Sequence, residues 1–208
     1  MYQMDAIEYN ENVMKGHFRK VYPVIARQIV ERTGITSGLC IDLGGGPGML
    51  GICLAKITGL KVIVYDLMPE CVELVPENSL EHGVSGQIEA VQGRAEDLKF
   101  DDNSIDLVVS RGSVFFWDDQ AKGLSEVYRV LRPGGWAYIG GGFGTIELLE
   151  EINKLRETDD PDWNEKRKER IRKNPPEHYQ NIIDSLGIEG VVEFSEAGTW
   201  IIFQKKQI

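Results

Sequence analysis

The stretch that decides the fold is IDLGGGPGMLG, residues 41–51. Its apolar run, glycine loop and following helical pattern predict a strand, a tight turn and a helix, the first unit of a parallel sheet. Such loops usually bring backbone N–H groups to a phosphate at the start of a helix. Here Asp42 adds a negative charge and Pro47 removes one N–H, and both disfavour a phosphate. The loop therefore predicts close backbone approach to a phosphate-free ligand that is partly cationic.

The rest of the chain alternates short apolar runs with helical periodicity, which is typical of βα units around a parallel sheet. The predicted strands are 39–43, 61–66, 88–93, 105–110 and 136–141. The predicted helices are 49–56, 70–82 and 118–131, the last ending at the sequence RPGG. Two β-rich runs close the chain, separated only by residues 195–198, so they predict a hairpin. The predicted fold class is α/β, a doubly wound, seven-stranded, mostly parallel sheet with a C-terminal antiparallel hairpin.

The length of 208 residues suits a single domain, 1–208. We expect it to comprise an N-terminal helical cap (1–36), a cofactor-binding core (37–142), a helical insertion with the last helix (145–187) and the hairpin segment (188–208). Within the insertion, Asp160 as N-cap and Pro161 in the first turn predict a strongly charged helix over 160–174. Such a helix is either a solvated surface element or a lid over the substrate pocket.

Composition narrows the range of partners. The chain has 33 acidic and 23 basic residues, a net charge of −10, which would repel nucleic acid and anionic membrane surfaces. We expect a small-molecule substrate, and the sequence does not predict an oligomeric state. The N-terminus shows no leader pattern and no segment is long and apolar enough to span a bilayer, so we expect a cytoplasmic protein.

The cysteines and histidines show no disulfide or metal-binding pattern. Cys40, Cys53 and Cys71 lie within apolar patterns without CxxC spacing, so we expect buried free thiols. The three histidines are far apart in sequence, and none has a second ligand type at metal spacing. We therefore predict no metal.

Five ordered stretches, together with the terminal hairpin, resemble the class I S-adenosylmethionine-dependent methyltransferases that carry a GxGxG loop. They are residues 41–48, 64–70, 93–100, 104–110 and 126–135. The resemblance implies a Rossmann-like enzyme that binds S-adenosyl-L-methionine and transfers its methyl group in line to a small-molecule acceptor. One alternative is a non-catalytic protein that binds this cofactor or S-adenosylhomocysteine. The other is an NAD-dependent oxidoreductase, which the bare glycine pattern allows but Asp42, Pro47 and the hairpin disfavour.

The same resemblance implies a set of cofactor-binding residues. Asp66 would accept the ribose hydroxyls, with Leu67 and Met68 either against the adenine or in the core. Arg94 stands where the family often has an acidic residue, so adenine recognition would shift to the backbone near Ala95, with Arg94 stacking on the ring. Either Glu96 or Asp97 would substitute as the acceptor. The full implied set is Tyr9, Asp42, Gly44, Gly45, Gly46, Gly48, Asp66, Leu67, Met68, Arg94, Ala95, Glu96, Ser110 and Arg111.

The acceptor side is less defined. The family's base and amide methyltransferases often carry an Asn/Asp-Pro-Pro-aromatic run after the fourth strand; this chain instead has SRGSVFFW, residues 110–117, so nucleic-acid base methylation loses support. Arg111 suits a carboxylate of the cofactor or of the substrate, or else a structural acidic partner. The aromatic residues 115–117 are either pocket wall or core, and the glycine run 140–142 would leave space for substrate. The candidate catalytic residues are His17, on a predicted N-terminal helix, Arg111 and Ser113.

Overall fold

A seven-stranded sheet forms the centre of the molecule. The computed structural model describes residues 5–207, with the strands in the spatial order β3-β2-β1-β4-β5-β7-β6. The strands are β1 (Ser37–Leu43), β2 (Gly59–Asp66), β3 (Ile88–Gln92), β4 (Ile105–Arg111), β5 (Leu131–Gly142), β6 (Gly190–Ser195) and β7 (Gly198–Gln204). The first five strands pair in parallel, and β7 pairs antiparallel with both β5 and β6. The predicted fold class is confirmed.

The strand order brings the carboxyl ends of the central strands together at one edge of the sheet. Asp42 pairs in register with Val64 of β2 and Val109 of β4, so the carboxyl ends of these central strands lie side by side. Gly142 at the end of β5 pairs with Gly198 at the start of β7, which brings the hairpin turn to the same edge. Open α/β sheets bind ligands at this edge, where the helices and loops leave a crevice.

Helices cover both faces of the sheet because successive strand residues face opposite sides. Cys40 and Ile41 of β1, for example, pack into two different buried clusters. The helices are α1 (Ala6–Met14), α2 (Val21–Thr33), α3 (Met49–Ile57), α4 (Pro69–Glu81), α5 (Gln120–Val130), α6 (Ile146–Asp159), α7 (Trp163–Lys173) and α8 (Pro176–Ser185), with short 3₁₀ helices at His17–Lys20 and Val114–Phe116. One cluster draws on α1, α2, α3 and α6, and the other on α5 and α8.

Two local predictions are wrong. The N-terminal segment does not form one helix, because Gly16 separates α1 from the 3₁₀ helix that precedes α2. Gly16 packs against the backbone of Asn12, and a Cβ on Gly16 would lie 2.6 Å from the Asn12 carbonyl oxygen. The charged helix begins at Trp163, with Asp162 as its N-cap, whereas Asp160 is the C-cap of α6. The carboxylate of Asp160 accepts hydrogen bonds from Lys166 Nζ at 2.9 Å and from the backbone of Asp162 at 3.2 Å, so it orders the linker between the two helices.

Strand β5 is longer than predicted. Helix α5 ends at Val130, close to its predicted end, but β5 already begins at Leu131 and includes the RPGG stretch. The β4–β5 register shifts between Ile105 and Leu107, so an irregularity accommodates the proline and the glycines within the strand.

Three further observations bear on function. Cys40, Cys53 and Cys71 are buried free thiols, as predicted. Within residues 5–207, no helix is long and apolar enough to cross a membrane. Over the same residues, no group of three or more histidine, cysteine, aspartate or glutamate side chains could hold a metal ion. Residues 1–4 of the expected cap and residue 208 of the hairpin segment lie outside the described part.

Candidate cofactor and acceptor site

The glycine loop after β1 requires its glycines for two reasons. Gly44, Gly46 and Gly48 all have positive φ, a backbone conformation that side chains with a Cβ rarely adopt. The loop is also tightly enclosed, because a Cβ on Gly44 would lie 2.2 Å from Ser113 and one on Gly46 would lie 2.8 Å from the ring of Tyr9. The backbone N–H of Gly44 bonds to the carbonyl oxygen of Tyr65 at 2.7 Å, which ties the loop to β2.

Asp42 lies beneath the loop and is only 1% exposed. Its Oδ2 accepts a hydrogen bond from the backbone N–H of Gly51, in the first turn of α3, at 2.8 Å. Its Oδ1 is buried and has no hydrogen-bond partner within the described part of the chain. Burial raises the pKa of Asp42 to about 7, against the lowering effect of the Gly51 hydrogen bond. An unsatisfied, desolvated carboxylate oxygen is therefore present at the floor of the loop.

Asp66, the last residue of β2, connects the glycine loop to the next turn. Its Oδ2 accepts from the backbone N–H of Gly46 at 2.8 Å and its Oδ1 from that of Met68 at 2.9 Å. Burial raises the pKa of Asp66, while these backbone hydrogen bonds oppose the rise. Each carboxylate oxygen retains a second lone pair, so two further donors such as ribose hydroxyls could still bind. Leu67 is 51% exposed, which excludes the core position that the sequence left open for it.

The segment around Arg94 is held by charge. The Arg94 guanidinium forms ion pairs with Asp118 and, at 3.6 Å, with Glu96. Glu96 also accepts a hydrogen bond from the backbone N–H of Asp119, the N-cap of α5, at 3.2 Å. Ala95 between them is buried. Arg94 and Glu96, two of the side chains expected near adenine, are therefore engaged with the start of α5, and the third, Asp97, pairs with Lys99.

Ser113 joins β1, β4 and the 3₁₀ helix that follows β4. Its Oγ lies 3.1 Å from the carbonyl oxygen of Leu43, 2.7 Å from Ser110 Oγ and 3.1 Å from the indole Nε1 of Trp117. A hydroxyl has one proton and two lone pairs, and these three contacts use all of them. The arrangement favours a positioning role for Ser113 over proton transfer.

Arg111, at the end of β4, lies among aromatic rings. Its Nε donates to the carbonyl oxygen of Gly142 at 3.0 Å and its Nη1 to the hydroxyl of Tyr22 at 3.1 Å. The guanidinium carbon is 4.7 Å from the ring centroid of Tyr22, 5.6 Å from that of Phe18 and 5.8 Å from that of Phe143. Among the described residues no carboxylate forms an ion pair with Arg111, so the acidic structural partner that the sequence left open is absent there.

The N-terminal segment places Tyr9 against the glycine loop and His17 at the protein surface. The ring of Tyr9 packs on Gly46, and its desolvated hydroxyl, close to Tyr22, has a raised pKa that the nearby Arg111 partly lowers. His17 is exposed on the 3₁₀ helix, whereas its neighbour Phe18 packs against the core and against Trp163. The structure therefore brings Tyr9 to the cofactor edge and leaves His17 at the surface.

The glycine run at the end of β5 does not leave space for a substrate, as the sequence had suggested. A Cβ on Gly140 would lie 2.0 Å from the carbonyl oxygen of Thr199, and one on Gly141 would lie 2.8 Å from the ring of Phe115. The glycines allow β7 and Phe115 to approach closely. Phe115 packs into the core, whereas Phe116 is 64% exposed and lies under the guanidinium of Arg170, 5.3 Å from its ring centroid.

Two site residues were not predicted. Phe143 follows the glycine run directly and could have been found from its place at the carboxyl end of β5. Asn78 of α4 is buried and donates to the carbonyl oxygen of Pro47 at 2.9 Å and to Asn10 Oδ1 at 2.8 Å. It thereby joins the glycine loop to α4 and α1. No local pattern in the sequence distinguishes Asn78 from an ordinary polar helix residue.

These features define an α/β protein with a buried, unpartnered carboxylate oxygen at the floor of its glycine loop, and comparison with known proteins identifies its family. Residues 41–139 match the methyltransferase domain family. A crystal structure from Methanococcus maripaludis, provisionally assigned as an S-adenosyl-L-methionine-dependent methyltransferase, is 39% identical, with a TM-score of 0.92 over 98% of this chain and 93% of that one. The chain belongs to the S-adenosylmethionine-dependent methyltransferase family, and its cofactor is S-adenosylmethionine.

Two curated relatives are longer than this chain and match over part of their length. The demethylmenaquinone methyltransferase of Chlorobaculum tepidum is 39% identical over 99 residues, 48% of this chain and 38% of that protein. The chloroplastic 2-methyl-6-phytyl-1,4-hydroquinone methyltransferase 2 of rice is 36% identical over 102 residues, 49% of this chain and 28% of that protein. The chain thus spans less than half the length of these relatives.

Proposed function

We propose that this protein transfers the methyl group of S-adenosylmethionine to a small-molecule acceptor. The observation that carries the proposal is the buried, unpartnered Oδ1 of Asp42 at the floor of the glycine loop. A carboxylate oxygen without a donor in a desolvated position is complementary to the positive charge of an ammonium or sulfonium group. The same carboxylate would repel a pyrophosphate and so disfavours a dinucleotide, in agreement with the family to which the chain belongs.

The residues present fit the cofactor in their donor and acceptor chemistry. The free lone pairs of Asp66 suit the two ribose hydroxyls, and the exposed Leu67 beside Met68 suits one face of the adenine. The glycine loop and the ring of Tyr9 would enclose the methionine portion. When bound, the cofactor supplies an electrophilic methyl group on a sulfonium. The chain's own part is to bind, to orient and to exclude water.

The acceptor side lies over β4 and β5. The rings of Phe18, Tyr22 and Phe143 pack around Arg111 at the carboxyl ends of these strands. Tyr22 and Phe143 are buried, and Phe18 is half-buried. A flat or apolar acceptor suits the accessible part of the Phe18 ring. The curated relatives are named for hydroquinone and demethylmenaquinone methylation, and an aromatic acceptor for this chain is in keeping with those names. The net charge of −10 favours a small molecule over a nucleic acid.

Helix α7 lies across the acceptor side, which supports a role as its lid. At its start, Trp163 packs against Phe18, with ring centroids 5.7 Å apart. In its middle, Arg167 donates to the carbonyl oxygen of Glu196 in the hairpin turn at 3.3 Å. Near its end, Arg170 covers Phe116. The helix thus contacts three segments that border the site, and a shift of α7 would open that side.

A methyl-release screen tests the proposal. The protein is incubated with S-adenosylmethionine and a metabolite library, and S-adenosylhomocysteine formation is measured for each compound. We expect formation above the acceptor-free rate with at least one small molecule, and loss of that signal in Asp66→Ala. Tight binding of S-adenosylhomocysteine without turnover on any acceptor would point to the non-catalytic binding protein instead. No binding of either cofactor form would refute the proposed function as a whole.

A further inference from the structure

Arg111 is a partly buried cation at the acceptor side for which the described residues supply no carboxylate partner. The chain as a whole has an excess of acidic residues, and exposed arginines elsewhere, such as Arg32 and Arg172, pair with glutamates. Removing a guanidinium from water without a counter-charge is unfavourable. The rings of Phe18, Tyr22 and Phe143 stabilise the positive charge, and the Tyr22 hydroxyl accepts from Nη1, but none of them carries a negative charge. The guanidinium therefore lacks a counter-charge among the described residues.

The guanidinium is also held in place. Its Nε bonds to Gly142 and its Nη1 to the hydroxyl of Tyr22, at 3.0 and 3.1 Å. Within the described residues, 5–207, no group accepts a hydrogen bond from Nη2. A planar guanidinium fixed on one side presents its remaining N–H groups in a geometry that matches a carboxylate. Because Arg111 is already oriented, little side-chain entropy would be lost on binding.

The surroundings of Arg111 lie on the acceptor side of the sheet. Gly142 and Phe143 are at the end of β5, and Phe18 and Tyr22 come from the segment that packs near it. The residues that fit the cofactor, by contrast, are on the loop after β1 and at the end of β2. Strand β4 lies between these two groups. The contacts of Arg111 therefore lie across β4 from the proposed ribose position, with the hydroxyl of Tyr9 also nearby.

Resting on the proposed function, we propose that the acceptor carries a carboxylate, which Arg111 binds, and that the half-buried ring of Phe18 packs against its apolar or aromatic body. Arg111 is then a specificity-determining residue that selects anionic acceptors over neutral ones. The same site without Arg111 would accept neutral and anionic compounds alike.

The test is calorimetry on protein saturated with S-adenosylhomocysteine. The probes are matched acid and amide pairs: 4-hydroxybenzoate with 4-hydroxybenzamide, phenylacetate with phenylacetamide, and hexanoate with hexanamide. We expect at least one acid to bind about 10- to 100-fold more tightly than its amide, the range for a charge-assisted pair. Wild-type protein that prefers no acid over its amide, whether both bind equally or neither binds, overturns the proposal. Failure to bind S-adenosylhomocysteine at all would instead count against the proposed function.

Substitutions test whether Arg111 causes the preference for acids over amides. Arg111→Gln should bind each acid no more tightly than its amide, and Arg111→Lys should retain part of the preference. Tyr22→Phe keeps the ring but removes the hydroxyl that holds Nη1, so it should weaken the preference a few-fold even if Arg111→Gln proves unstable. Arg19→Gln is the matched control, because Arg19 is exposed on the neighbouring 3₁₀ helix, and it should behave as wild type. An acid preference that survives in folded Arg111→Gln overturns the proposal.

A second measurement separates the acceptor's carboxylate from that of the cofactor. S-adenosylhomocysteine and its decarboxylated analogue, 5′-deoxy-5′-(3-aminopropylthio)adenosine, are titrated into wild type and Arg111→Gln. If Arg111 serves the acceptor, removing the cofactor carboxylate changes affinity by the same factor in both proteins. If that factor is large in wild type and disappears in the variant, Arg111 binds the cofactor and the proposal is wrong.

Discussion

Asp66 and Gly46 are joined by a hydrogen bond of 2.8 Å from the loop backbone to the carboxylate Oδ2, so the end of β2 holds the glycine loop in place. The same carboxylate holds the backbone of Met68 through its other oxygen. One acidic side chain therefore orders both backbone segments that border the proposed ribose position. Its loss would affect the loop as well as the ligand.

The first prediction concerns Asp66. Asp66→Asn replaces one acceptor oxygen by an N–H₂ group that faces a backbone N–H, so one of its two backbone bonds is lost. We expect S-adenosylhomocysteine to bind at least about 10-fold more weakly, the cost of leaving such a donor unpaired. Calorimetry measures the change. Glu70→Gln, an exposed carboxylate change nearby in α4, is the control, and an equal effect there would contradict a specific role.

The second prediction concerns Asp42 and pH. Its pKa of about 7 in the folded protein lies above the ordinary value of 3.8, so between these values the folded state holds a proton that the unfolded state has released. The free energy of unfolding should therefore fall as pH rises toward 7 and level off above it. Between pH 5.5 and 8 the fall from this group is on the order of 2 kcal/mol.

Urea denaturation of wild type and Asp42→Asn at several pH values isolates that contribution. Asp66 on β2, Cys40 on β1 and Cys53 on α3 also interact electrostatically with Asp42, but they are present in both proteins. We expect the difference in unfolding free energy between wild type and variant to decrease with rising pH. Parallel curves would show that Asp42 does not titrate in this range.

The third prediction concerns the packing of the loop over Asp42. A Cβ on Gly45 would lie 2.8 Å from the Asp42 side chain, and its φ is not positive, so the problem is steric. Gly45→Ala should destabilise the protein by about 1–3 kcal/mol and weaken cofactor binding. Gly86→Ala is the matched control, because nothing lies within 4 Å of a Cβ there. Thermal unfolding that ranks both variants equally would argue against this packing.

The fourth prediction concerns α7 as a lid. Arg167 and Arg170 contact the hairpin turn and Phe116, so replacing both with alanine should loosen the helix. We expect faster amide hydrogen exchange in α7, while the affinity for S-adenosylhomocysteine stays within about 3-fold because its proposed site lies over β1 and β2. Once the screen has identified an acceptor, its KM should rise.

A double variant on the same helix supplies the control for α7. Arg172 and Lys173 pair with Glu169 within the helix itself, so Arg172→Ala with Lys173→Ala removes equal charge without touching the site. Exchange in α7 should then change little. Similar acceleration in both double variants would indicate that charge, rather than contact with the hairpin turn and Phe116, holds the helix.

The fifth prediction concerns His17. Its exposed position favours a surface role, so His17→Gln should leave the rate of methyl transfer to the identified acceptor within about 2-fold. The pH dependence of the rate, measured for both proteins, checks this more sharply. If the rate of the variant fell below that of wild type only at alkaline pH, His17 would again be a candidate proton acceptor.

Much of the cofactor side could be predicted because its determinants are local. Asp42, Pro47 and the glycines of the loop lie within a few residues of one another, and the end of β2 at Asp66 follows from one βα unit. The start of α7 was predicted too early, because Asp160 and Pro161 match the residue preferences of a helix N-terminus but belong to the linker before the helix. The glycine run 140–142 was misread because empty side-chain volume in a sequence does not show which neighbour fills it.

By itself, the sequence determined the βα alternation, the terminal hairpin and a loop suited to a phosphate-free cationic ligand, since these depend on periodicity and on the charge and backbone chemistry of adjacent residues. Only the tertiary structure decided the surroundings of Arg111, because Phe18, Tyr22 and Phe143 are brought together by packing between distant segments. It also decided that Asp42 is desolvated, with one oxygen unpartnered. Burial is a property of the whole packed chain, and no local pattern contains it.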